Sequence, residues 1–115
     1  MTDTHLDCDV LSALQEIMGD GYPDLLDTFL TDSEERLSLL HQADDAERLG
    51  AAAHSFKGSS SNMGAVRLAA LCHELEQHAK QKNLAQIEKL VQNIDSEFAI
   101  VRPLYEAERQ RALCG

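Results

Sequence analysis

Residues 84–105 read LAQIEKLVQNIDSEFAIVRPLY, and within them Leu84, Ile87, Val91, Ile94, Phe98, Val101 and Tyr105 recur at alternating steps of three and four. That spacing keeps apolar side chains on one side of an α-helix and marks a seam packed against neighbouring helices. Pro103 lacks an amide N–H and is expected to kink this helix or end it. The fold is therefore decided by helix-on-helix packing.

Working back along the chain, a turn near Asn83 separates this helix from one over about Ala65 to Lys82, with Leu68, Leu71, Cys72, Leu75 and Ala79 facing inward. Before it, a helix opens after Asp44 or Asp45, both good N-caps, carries Leu49, Ala52, Ala53, Phe56, Ser60 and Met63 on its inner face, and closes at Gly64. An earlier helix has Pro23 in its first turn and an inward stripe of Tyr22, Leu25, Leu26, Phe29, Leu30, Leu37 and Leu40, interrupted over Thr31 to Glu35. A short first helix, about Val10 to Met18, stops at Gly19-Asp20-Gly21. Short connections imply antiparallel neighbours. The expected fold is all-α: an up-down-up-down four-helix bundle with the first helix as a cap.

Bulk properties agree. A chain of 115 residues, 43% hydrophobic and 26% charged with only 2 Pro and 6 Gly, suits one folded domain and not a disordered tail. A single domain over residues 1–115, its core at about 8–110, is expected. The net charge of −10 opposes binding to nucleic acid or an anionic membrane surface. No signal sequence and no stretch of ~20 apolar residues occurs, so a cytoplasmic location is expected. Cys8, Cys72 and Cys114 are an odd count without a C-x-x-C pair, which points to free thiols, Cys72 being a core residue.

Histidine is where chemistry would lie, because imidazole serves as ligand, base or nucleophile near neutral pH. His54 is two residues from inward Phe56, a rotation of roughly 200° at ~100° per residue, and so points to solvent. Around it on the outer face lie Gly50, Ala51, Lys57, Gly58 and Ser61, nearly all small. A helix-interior glycine costs about 1 kcal/mol relative to alanine, so two of them flanking one imidazole suggest that something approaches the ring closely. Lys57 supplies a cation one turn away, suited to an added phosphoryl group. Spacing alone leaves an ordinary surface histidine and lysine as the other reading.

The run Ala53-His54-Ser55-Phe56-Lys57-Gly58, continued by Ser59-Ser60-Ser61-Asn62-Met63-Gly64, resembles the His-x-x-Lys-Gly-x5-Gly signature of histidine phosphotransfer (HPt) domains, specifically the free-standing single-domain type. All four anchor positions match. Downstream, Leu68, Leu71, Leu75-Glu76 and Ala79 are similar to the family's following helix. The resemblance implies that His54 accepts the phosphoryl group, Lys57 stabilises it, Gly58 leaves room beside the ring and Gly64 makes the turn. It also implies a phosphocarrier without kinase activity of its own, needing no cofactor. The Mg²⁺ and the aspartate belong to a partner receiver domain. The implied partners are receiver domains of hybrid sensor kinases and of response regulators, met by a monomer acting in trans.

An antiparallel pair turning at Met63-Gly64 sets residues whose numbers sum to about 128 side by side, which puts His54 near position 74. His73 and Glu76 share a face there and are candidates to orient the imidazole. Many family members have glutamine at the Glu76 position, whereas HPt domains of chemotaxis kinases carry a similar His and Glu pair. Gly50, Ala51, Gly58 and Ser61 would centre the docking face.

A helical bundle is open to two other classes. A di-iron bundle needs Glu-x-x-His, and the residues three before the five histidines are Thr2, Ser38, Ala51, Ala70 and Leu75. His73 to His78 misses the His-Glu-x-x-His pattern by one residue. No metal site is expected. The remaining alternative is a helical adaptor or inhibitor bundle that binds signalling partners and is not phosphorylated.

Overall fold

The computed structural model describes residues 5–114 and contains five α-helices: α1 (Cys8–Met18), α2 (Tyr22–Gln42), α3 (Ala46–Asn62), α4 (Val66–Gln81) and α5 (Leu84–Cys114). The side chain of Cys114, expected as a free thiol, lies outside the described residues. Three helix starts have a capping side chain or backbone group as their local cause. Asp7 Oδ1 accepts from the amides of Asp9 and Val10 at 3.0 and 3.4 Å, so α1 begins at Cys8, ahead of the expected Val10. Asp45, not Asp44, caps α3 by accepting from the Arg48 amide at 2.7 Å. Asn83 accepts from the Gln86 and Ile87 amides at the head of α5.

α2, α3, α4 and α5 close into a four-helix bundle in which α3 packs on α2 and α4, and α5 packs on α4 and α2. α1 contributes only Leu11 to the buried set and caps one end. The centre holds Tyr22, Leu26, Phe56, Leu68, Leu75, Ile94, Val101 and Tyr105, all fully buried. Cys72 is buried among them as a free thiol, and burial pushes its pKa up to about 12. No helix among the described residues is long and apolar enough to cross a membrane.

The structure refines the expected pattern at several positions. Leu84 is 76% exposed, at the first residue of α5. The seam is instead filled by Leu90, with Val91 half-buried beside it. Of the two outcomes expected at Pro103, a kink or an end, the end is excluded, because α5 runs on to Cys114. The proline ring is on the exposed side, and the turns beyond it are anchored by Tyr105 in the core, by Arg109 to Asp27 at 2.7 Å and by Tyr22 to Glu108 at 2.6 Å. Ala52 is half-buried at the edge of the inner face of α3, whereas Ala53 is fully buried. Ser33, inside the interruption read over Thr31 to Glu35, is fully buried and carries the α2 stripe onward.

The α3–α4 turn gathers the other elements. Its carbonyls at Met63 and Gly64 accept from the Tyr105 hydroxyl at 2.7 Å and from the Asp7 amide at 2.7 Å, which ties α5 and the head of α1 to one point. Gly64 has φ +77°, and a β-carbon there would lie 3.1 Å from the Asp7 carbonyl and 3.2 Å from Val10 Cβ. Gly64→Ala is therefore expected to destabilise the fold by on the order of 2 kcal/mol. Thermal unfolding would show this as a fall in Tm of about 10 °C, and an unchanged Tm would show that the turn relaxes freely.

Candidate functional site

The antiparallel pair α3–α4 is the platform for the histidine. Backbone symmetry sets His54 opposite residue 74, yet its ring meets Glu76: His54 Nδ1 lies 2.9 Å from Glu76 Oε2. The offset of two follows from helix geometry, since side chains lean toward their own helix N-terminus and the two helices run in opposite directions. His54 leans away from the turn and Glu76 toward it, and they meet between.

Glu76 uses both oxygens. Oε1 accepts from Lys57 Nζ at 2.9 Å while Oε2 faces the imidazole, so one carboxylate ties together two residues one turn apart on α3. Its side chain is 12% exposed, whereas that of His54 is 67% exposed. The Lys57 ammonium, with a further contribution from His54, holds the Glu76 carboxyl below its usual 4.5, against the opposing effect of partial burial. An ionised carboxylate only accepts hydrogen bonds, so in the neutral ring the proton sits on Nδ1 and the lone pair on Nε2. The nitrogen left free to react is on the exposed ring.

His73 is placed differently from the expectation that paired it with Glu76 on the imidazole. Its Nδ1 lies 3.5 Å from Lys57 Nζ, and among the described residues no hydrogen bond joins it to His54. Gly50, Ala51, Gly58 and Ser61 lie along the outer side of α3 with His54, Gly50 half-buried and the other three exposed. A β-carbon on Gly58 would meet nothing within 4 Å, and one on Gly50 would make ordinary contact with Ala79 Cβ at 3.7 Å. Neither glycine is required by packing inside this chain.

From His54 and Glu76 an open groove of about 520 Å³ runs between the start of α3 and the end of α4. Gly50, Ala51 and Ala79 floor it, and Glu47, Lys80 and Lys82 stand at its rims. Sequence reasoning passed over these lysines, although the register that pairs 54 with 76 also brings the last turn of α4 beside Gly50. Among the described residues no group of three or more His, Cys, Asp and Glu side chains is arranged to hold a metal ion.

A family model for the Hpt domain matches residues 24–102, a span that contains α3, α4 and every residue of this cluster. The chain belongs to the Hpt domain family. It is similar to Histidine-containing phosphotransfer protein 2 of Arabidopsis thaliana, 29% identical over 93% of this chain and 78% of that protein. Histidine-containing phosphotransfer protein 1 of the same plant is 27% identical over 89% and 75%. Among solved structures, histidine-containing phosphotransfer protein B (HptB) of Pseudomonas aeruginosa PAO1 superposes with a TM-score of 0.91 at 56% identity, covering 96% of this chain and 98% of that one. A putative histidine-containing phosphotransfer protein from rice shares the fold, with a TM-score of 0.82 at 20% identity.

In this Hpt domain the Glu76 contact makes two measurable statements. Long-range ¹⁵N–¹H NMR of the neutral imidazole is expected to show the His54 proton on Nδ1, and Glu76→Ala to remove that preference. A dominant Nε2–H form in the native chain would contradict the geometry. Because its folded pKa is depressed, Glu76 adds stability that is complete above about pH 4.5 and disappears as pH falls through the lower folded value. Glu76→Gln should therefore lower the urea midpoint at pH 7 and lower it progressively less as pH falls below 4.5, and an equal loss at every pH would refute an ionic contribution.

Proposed function

We propose that this Hpt domain is a phosphocarrier of a two-component phosphorelay, with Nε2 of His54 as the atom that carries the phosphoryl group. The observation that carries the proposal is an exposed imidazole whose inner nitrogen faces an ionised carboxylate, an arrangement that in the neutral ring puts the lone pair on the outer nitrogen. Such a nitrogen is a nucleophile without needing a separate base.

The donor is the receiver domain of a hybrid sensor kinase, phosphorylated on its aspartate. The Nε2 lone pair attacks phosphorus, the N–P bond forms, the acyl-phosphate P–O bond breaks, and the aspartate leaves as a carboxylate. The ring, bearing phosphorus on Nε2 and a proton on Nδ1, becomes cationic. Glu76 faces that developing charge, and Lys57 is one turn away to meet the phosphoryl oxygens. The same steps reversed deliver the group to the receiver aspartate of a response regulator. Mg²⁺ is expected on the receiver side, and this chain brings no cofactor and no kinase activity of its own. We take the carrier to be a cytoplasmic monomer that meets its partners in trans and uses neither nucleic acid nor membrane.

The direct test is phosphoryl transfer from autophosphorylated hybrid kinases, followed as acid-labile, base-stable label. Label on the native chain and none on His54→Gln is expected, and equal label on both would remove the assignment. Gly58 offers a sharper test, since its β-carbon has open space around it. Gly58→Ala is expected to raise stability by about 1 kcal/mol through helix propensity, while slowing transfer from a receiver and leaving labelling by the small donor phosphoramidate unchanged. Unaltered transfer from receivers would show that the approach to His54 needs no clearance at that position.

A further inference from the structure

The chain has ten cationic residues against twenty acidic ones. Every arginine, and Lys57, is engaged: Arg36 with Asp32, Arg48 with Asp44 and Asp45, Arg67 with Glu97, Arg102 with Glu34, Arg109 with Asp27, Arg111 with Glu108 and Lys57 with Glu76. Among the described residues this leaves Lys80, Lys82 and Lys89 without an ion pair. Two of those three stand on one rim of the groove that leads to His54.

Lys82 adds an independent observation. It closes α4 at φ 55°, ψ 38°, the only non-glycine residue with positive φ among the described residues. Glycine is favoured at such a helix end because a β-carbon is strained there. A lysine at the helix C-terminus complements the α4 dipole, but Lys80 and His78 in the last turn already do so. The dipole gives no reason to put a side chain on the strained residue.

We propose that Lys80 and Lys82 form a cationic rim that seats an acidic surface of the partner receiver, next to its phosphorylatable aspartate, in the groove beside His54. The proposal rests on the phosphocarrier reading. The groove ends at His54 and Glu76, so whatever brings an aspartate to Nε2 covers it. Its floor of Gly50, Ala51 and Ala79 permits close approach, and Glu47 on the facing rim repels acidic groups. Acidic side chains of the occupant are thereby directed to the α4 side. In a chain of net charge −10, a local cationic rim also opposes the general repulsion of an acidic partner.

The test uses the full chain and the receiver domain that exchanges phosphoryl groups with it. Lys80→Glu/Lys82→Glu is expected to lower kcat/KM for transfer about tenfold at low ionic strength, mostly through KM, with the deficit shrinking as salt screens it. Labelling by phosphoramidate should be unchanged, as should transfer by Lys89→Glu. Lys82→Gly separates docking from helix capping: relief of strain should raise Tm while transfer still slows. A double variant that is loaded by phosphoramidate and exchanges with the receiver at the native rate overturns the docking role alone. A changed self-association with unchanged transfer overturns it too and assigns the groove to a second copy of the chain. No label at His54 from phosphoramidate or any receiver would instead remove the phosphocarrier reading itself.

Discussion

The tight turn between α3 and α4 is the constraint on which the rest of the molecule depends. Three backbone residues, Met63 to Ala65, reverse the chain with the Ala65 amide donating to Ser60 O at 2.9 Å and the Gly64 amide to Ser61 O at 3.1 Å. So short a connection leaves no slack in the register of the two helices. That register places Glu76 against His54 and Lys57. The same three residues receive the Tyr105 hydroxyl from α5 and the Asp7 amide ahead of α1, so the point that fixes the site also holds the cap and the long last helix. Positive φ and close packing at Gly64 follow from this convergence.

From that register comes an economical charge arrangement. One partly buried carboxylate is shared by an imidazole and an ammonium, which satisfies both of its oxygens and keeps it ionised. With the imidazole in its neutral form, the nucleophilic one, the cluster of His54, Lys57 and Glu76 sums to zero before transfer. On the proposed chemistry it gains a dianionic phosphoryl group and a ring cation together, so each new charge arises next to a group of opposite sign that is already in place. No large reorganisation is required at the moment of reaction, which is the condition under which fixed charges stabilise a transition state best.

How much of this was legible in the sequence depends on distance along the chain. The steps of three and four fixed five helices and most of the core, and the two-residue offset from Phe56 set His54 on the outside of α3. What escaped lay at helix ends or relied on partners far apart. Leu84 fits the seam by spacing but has no helix beside it, and Pro103 is tolerated because residues on both sides are anchored elsewhere. Glu97 sits in the middle of the α5 pattern, 2% exposed, where its charge argues for solvent. His5 at 2.7 Å and Arg67 at 3.4 Å pair with it there, and neither is near it in sequence. His73 and Glu76 were read as one pair because they share a face, and only the lean of their side chains separates their partners.

Local rules are broken in opposite senses on the two helices that flank the groove. On α3, Gly58 occupies a helix interior where alanine would fit without contact and would hold the helix better. On α4, Lys82 occupies a left-handed helix end where glycine would be less strained. Each residue would be the better choice at the other's position. Neither departure is explained by packing within the chain, whereas the caps of α1 and α3 and the buried apolar stripes follow local geometry. Departures from local preference without a compensating internal contact indicate a requirement set from outside the molecule. Here the requirement is double: absence of a side chain where a partner approaches the ring, and presence of a charge where that partner is gripped.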